Sequence, residues 1–165
     1  MNSSTKILFG KRVLGYVSAS DYVNWAVEML KKDYDSPNLR ILAGLSPESR
    51  MIEVERYFFS CLQELNIDQE LNPKVAVHTY ASQIAKQIIN GQFRSAREAI
   101  QPLYQICLDT GYDPNYIVWI ELDDALDSLY AGKFPYTYPS ATLDNFNDLI
   151  KQEAIKLIRM SDAEL

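Results

Sequence analysis

Glu121, Asp123, Asp124 and Asp127 bring four carboxylates within seven positions. On a helix, Asp123 and Asp127 lie four apart and Asp124 and Asp127 three apart, so three of the four share one side. Hard cations such as Mg²⁺ take oxygen ligands grouped in this way, which makes Asp123, Asp124 and Asp127 candidate metal ligands. Two other readings compete with that one: a solvated acidic helix face, and a docking patch for a basic partner in which Glu121 takes part.

A second group follows at once. In Lys133–Phe134–Pro135–Tyr136–Thr137–Tyr138–Pro139, three aromatics and two prolines fall within seven residues. This is a stiff, apolar connection, read either as a strap across the core or as an exposed recognition loop. Tyrosine suits the second role because it offers a large contact area with few rotors and a polar tip. Phe134, Tyr136 and Tyr138 are therefore candidate anchors beside the carboxylates.

Other chemistry is thin. His78 is the only histidine, which excludes His-rich zinc sites, and no CxxC pair replaces them. It falls early in an apolar helical pattern and reads as a structural, hydrogen-bonded residue. Cys61 and Cys107 lie far apart inside apolar patterns and read as small buried hydrophobes in a reducing compartment. A cysteine–histidine nucleophile has no local support, because neither cysteine has the setting that lowers a thiol pKa. Arg94 and Arg97 read as ordinary solvated charges. The sequence contains no Gly-rich phosphate loop, GxSxG elbow or dinucleotide fingerprint, so no cofactor is implied.

Charge narrows the partners. The chain of 165 residues carries a formal net charge of -6. Residues 1–112 hold 12 acidic and 12 basic side chains, and residues 113–165 hold 10 and 4. A neutral body with an acidic last third argues against nucleic acid, which needs the opposite sign, and is compatible with a basic protein partner. Lys11 and Arg12 interrupt the apolar run Ile7–Leu8–Phe9 before it reaches signal-peptide length, and no later run approaches a membrane span. The expectation is a soluble, cytoplasmic protein without membrane contact.

The elements that position these residues are helices. Ser18 or Ser20 can cap a helix carrying Val23, Ala26, Val27 and Leu30. Ser36–Pro37, Ser46–Pro47, Asn72–Pro73 and Asp113–Pro114 each combine a cap with proline at the first helical position. Ser95 and Glu98 have capping-box spacing, and Pro102 is expected to kink that helix or delay its start. Thr142 caps a last helix with Phe146, Leu149, Ile150, Leu157 and Ile158. The reading is an all-α single domain over 1–165: a bundle of about seven helices with residues 1–17 as an extended arm or short strand.

Two resemblances bear on function. Asp123–Asp124–Ala125–Leu126–Asp127 matches the DDxxD pattern with which prenyl-diphosphate synthases hold Mg²⁺ and diphosphate. Those enzymes resemble a larger helical bundle with a second acidic motif facing the first, and this chain has neither. The stretch Asp21–Tyr22–Val23–Asn24–Trp25–Ala26–Val27–Glu28–Met29–Leu30, with Asp35–Ser36–Pro37–Asn38–Leu39–Arg40–Ile41–Leu42–Ala43–Gly44–Leu45, resembles uncharacterised small helical proteins of bacteria, some of them similar to immunity proteins that neutralise a toxin. That likeness covers roughly residues 20–65 and implies a bacterial origin and a helical fold, with no catalytic residues to carry over. The leading expectation is a non-enzymatic interaction module binding a basic protein. The alternatives are a metal-dependent enzyme acting on a phosphorylated small molecule and a homodimeric helical protein.

Overall fold

The computed structural model describes residues 3–67 and 71–160. Its described residues form eight α-helices and no strand: α1 Ser3–Val13, α2 Ala19–Lys31, α3 Pro37–Ala43, α4 Met51–Glu64, α5 Pro73–Ile89, α6 Ala96–Asp109, α7 Ile117–Tyr130 and α8 Phe146–Arg159. The all-α expectation holds, and the expected seven helices become eight. The chain divides into two compact units, Met1–Tyr80 and Ala81–Leu165, with the boundary inside α5.

The additional helix is α1, so the extended N-terminal arm is corrected. Thr5, Leu8 and Phe9 are buried at helical spacing, and Lys11 and Arg12 occupy the last turn, where basic side chains complement the helix dipole. Both find acids on other helices: Lys11 pairs with Asp21 at 2.6 Å and Arg12 with Glu55 at 3.0 Å. Those partners lie 10 and 43 residues away, which is why the local pattern reads as a broken apolar run. Gly10 lets α1 approach α5 closely, since a Cβ there would lie 2.3 Å from the Ala76 carbonyl oxygen.

In the first unit, α2, α3 and α4 pack on one another and α1 packs on α2. Phe58 is the hub of their core, meeting Phe9, Tyr22, Trp25 and Phe59 at ring-centroid distances of 4.9 to 5.8 Å. Trp25 donates its indole N–H to Thr5 Oγ1 at 3.0 Å. In the second unit, α6 packs on α7 and both meet α8. Ile100, Leu103, Ile106, Trp119, Leu122, Leu126, Phe146 and Ile150 are buried there.

Helix starts follow the cap chemistry unevenly. Ser18 closes a capping box with Asp21, and Ser36 and Ser95 accept from the backbone N–H three residues on. Asn72 accepts from Lys74 N at the start of α5. Ser46 and Asp113 instead make turns, accepting from Glu48 N and Asn115 N, and the helices begin later, at Met51 and Ile117. Thr142 does not cap α8 as expected: it and Asn145 bond each other reciprocally, and the helix begins later, at Phe146 after Asn145. α6 starts at its Ser95 cap and continues past Pro102, so its start is not delayed.

Candidate functional site

α7 carries the carboxylate string and ends in a Schellman turn. Gly132 adopts φ 68°, Lys133 N donates to the Ser128 carbonyl at 2.8 Å and Gly132 N to the Leu129 carbonyl at 3.0 Å. This reversal aims the aromatic loop back along the helix. Thr137 then donates its hydroxyl to the Glu121 carbonyl at 2.9 Å, which sets the loop beside the carboxylates.

The four acids have different surroundings. Asp123 is buried and accepts from Arg97 Nη1 at 2.8 Å and Gln101 Nε2 at 3.3 Å. Asp127 accepts from the other Arg97 terminal nitrogen, Nη2. One guanidinium on α6 therefore bridges two carboxylates one turn apart on α7. Burial holds the Asp123 carboxyl above its ordinary pKa; Arg97 opposes this, and Asp127 adds to it. Asp124 is exposed and Glu121 half-buried. The positive charge between Asp123 and Asp127 is thus supplied by the protein itself. Among the described residues, no three His, Cys, Asp or Glu side chains are placed to hold a metal ion.

The loop turns Pro135 and Tyr138 inward and leaves its other side chains exposed. Pro135 is buried, and half-buried Tyr138 donates to Glu153 Oε1 at 2.7 Å. Glu153 is itself buried and also accepts from Lys156 at 2.6 Å. Burial, the Glu153 bond and the negative charges of Glu153 and Glu121 push the Tyr138 hydroxyl up to about 12. Phe134 and Tyr136 point the other way, 54% and 83% exposed. Their rings meet edge-on, 4.9 Å between centroids at 69°.

No protein-family model matches this chain, and no curated protein or solved structure matches it. The geometry alone carries the functional reading.

The structure separates the candidate residues by exposure. Phe134, Tyr136, Glu121, Asp124 and Asp127 lie where a partner can reach them. Asp123 and Tyr138 hold the scaffold together through Arg97 and Glu153, and exposed Asp127 also meets Arg97. The roles of Arg97 and Glu153 are not legible locally, because Arg97 finds its partners 26 and 30 residues away and Glu153 meets Tyr138 15 residues away. His78, Cys61 and Cys107 are all buried, and both thiols are free. Burial raises both thiols above the ordinary cysteine pKa, Cys61 to about 12, the reverse of what a nucleophile needs. No described helix is long and apolar enough to cross a membrane.

Proposed function

We propose that this protein is a non-enzymatic interaction module that binds a basic protein through the loop after α7. The observation that carries the reading is the Phe134–Tyr136 pair: two large rings held against each other in solvent on a loop fastened by Pro135, Thr137 and Tyr138. Exposed aromatics normally cost solubility. Rings already ordered on a fixed loop lose little further freedom on binding, which favours affinity. Glu121, whose carbonyl holds the loop, and exposed Asp124 on the same helix supply negative charge suited to steering a cationic partner. An inhibitor of the immunity type, neutralising a basic toxin such as a nuclease, fits this combination of acid and aromatic.

The test is a pull-down from native-host lysate, at low and moderate salt, with wild type and two double variants. Wild type should recover one basic protein in stoichiometric amount. Phe134→Ser with Tyr136→Ser should abolish recovery at both salts, while Glu121→Lys with Asp124→Lys should reduce it most at low salt. Undiminished recovery by the Phe134→Ser, Tyr136→Ser variant would sink the proposal. Return of the chain alone, with light scattering at twice its mass, would replace the basic partner by a second copy.

A further inference from the structure

We infer that Phe134 and Tyr136 together receive an arginine side chain, so that the basic partner engages this loop through a guanidinium and not an ammonium group. This rests on the loop being the binding surface proposed above, and it names what that surface recognises. The two rings meet edge-on, 69° between planes and 4.9 Å between centroids, and both are exposed. Their faces, where the π electrons concentrate negative charge, therefore stand nearly at right angles and form a corner open to solvent. Backbone bonds hold that corner in place: Tyr136 N donates to the Phe134 carbonyl at 3.1 Å, and Tyr138 N to the Pro135 carbonyl at 3.0 Å.

The first unit shows what such faces accept. Arg12 stands over the Phe59 ring and Arg56 over the Tyr57 ring, each 4.8 Å from the centroid, and Lys11 stands over the Tyr80 ring at 5.7 Å. Those three rings are half-buried. Phe134 and Tyr136 are more exposed, yet no cation among the described residues stands over either ring, exposed Lys133 beside Phe134 included. The surrounding charge has the sign that a cation needs. Residues 81–165 hold 12 acidic and 7 basic side chains. The loop is fastened to α7 at the Glu121 carbonyl, and exposed Asp124 lies about one turn further along that helix. Arginine fits this corner better than lysine. A planar, weakly hydrated guanidinium lies flat on a ring and gives up little water, whereas a compact ammonium holds its hydration shell.

Titrating the whole chain with glycine-spaced peptides of equal length, carrying arginine, lysine or uncharged citrulline, tests this through the ring proton shifts of Phe134 and Tyr136. The arginine peptide should give saturable shifts, the lysine peptide should bind roughly threefold to fivefold more weakly, and the citrulline peptide should not saturate. In the Phe134→Ser, Tyr136→Ser variant, amide shifts along α7 should show arginine and lysine peptides binding equally weakly. Its melting temperature should hold, because both rings are exposed. Lysine or citrulline matching arginine in the wild type, or an arginine preference that survives in the double variant, overturns the inference. Each of those results is compatible with recovery of a basic protein in the pull-down, so loss of the arginine preference is distinguishable from failure of the interaction reading, which shows as no partner recovered.

Discussion

Each unit of this protein places an arginine on carboxylates, and the two arrangements divide that cation differently. In the first, Glu55 receives two donors: Tyr22 donates its hydroxyl at 2.8 Å and Arg12 its Nη2 at 3.0 Å, while Arg12 also donates Nε to the Tyr22 oxygen at 2.6 Å. In the second, Arg97 is shared by Asp123 and Asp127, with Asp124 adjacent. The Tyr22 bond, followed by Arg12, holds Glu55 below its ordinary pKa against partial desolvation. At Asp123, burial outweighs Arg97 and the pKa is raised. Glu55 and Asp123 each accept from two donors, but Glu55 has the Arg12 cation to itself among carboxylates, whereas Asp123 divides Arg97 with Asp127 and is left only partly compensated.

This contrast can be broken most strongly at Glu55. Glu55→Ala removes the shared acceptor of Arg12 and Tyr22, and should cost about 2–3 kcal/mol in urea unfolding. Each unit carries one buried tryptophan, Trp25 and Trp119, so the loss should be read by Trp25 fluorescence in a Trp119→Phe background. That background forfeits no hydrogen bond among the described residues. An unchanged Trp25 transition would show that the Arg12–Tyr22–Glu55 network is incidental.

Arg97→Ala comes next, at about 1–2 kcal/mol, since Arg97 is partly solvated and Gln101 still serves Asp123. Most of that loss should return when Asp123→Asn is added, because the rescue removes the buried charge that Arg97 compensates. Asp123→Asn alone should lie within about 0.5 kcal/mol of wild type. A rescue of less than half would mean that Arg97 acts through packing instead.

The smallest effect is in pH dependence, where the two carboxylates have opposite signs. Glu55, lowered in the fold, contributes stability that is complete above its unfolded pKa and is lost as pH falls through its folded value. Asp123, raised in the fold, holds its proton over an interval where the unfolded chain has released it, so its contribution improves as pH falls through that interval. Acidification should therefore lower the Trp25-reported unfolding midpoint more than the Trp119-reported one, and Asp123→Asn, which removes the compensating gain, should narrow the difference. Parallel decline of the two midpoints, unaffected by that substitution, would contradict the assignment.

How far the residues were readable depended on the range of their partners. Ser18, Ser36 and Ser95 act on backbone groups three positions ahead, so their caps follow from spacing alone. Ser46–Pro47 and Asp113–Pro114 carry the same signature, but their side chains reach only two residues on and make turns. The carboxylate string was visible, with its position on α7. That Asp123 and Asp127 face Arg97 while Asp124 stays exposed was not, because Arg97 belongs to another helix. The aromatic loop was visible as unusual, and which of its rings face water only emerged from Pro135 packing inward and Tyr138 reaching Glu153.

By itself the sequence determined the helical class, the starts of α2, α3, α5 and α6 and the acidic last third, because periodicity, capping and charge act within a few residues. The tertiary structure decided that residues 3–13 form a helix, since the acids that pair with Lys11 and Arg12 lie on α2 and α4. It also decided which carboxylates are compensated and which rings face water. Those outcomes depend on distance and desolvation between helices, quantities that exist only once the chain has folded.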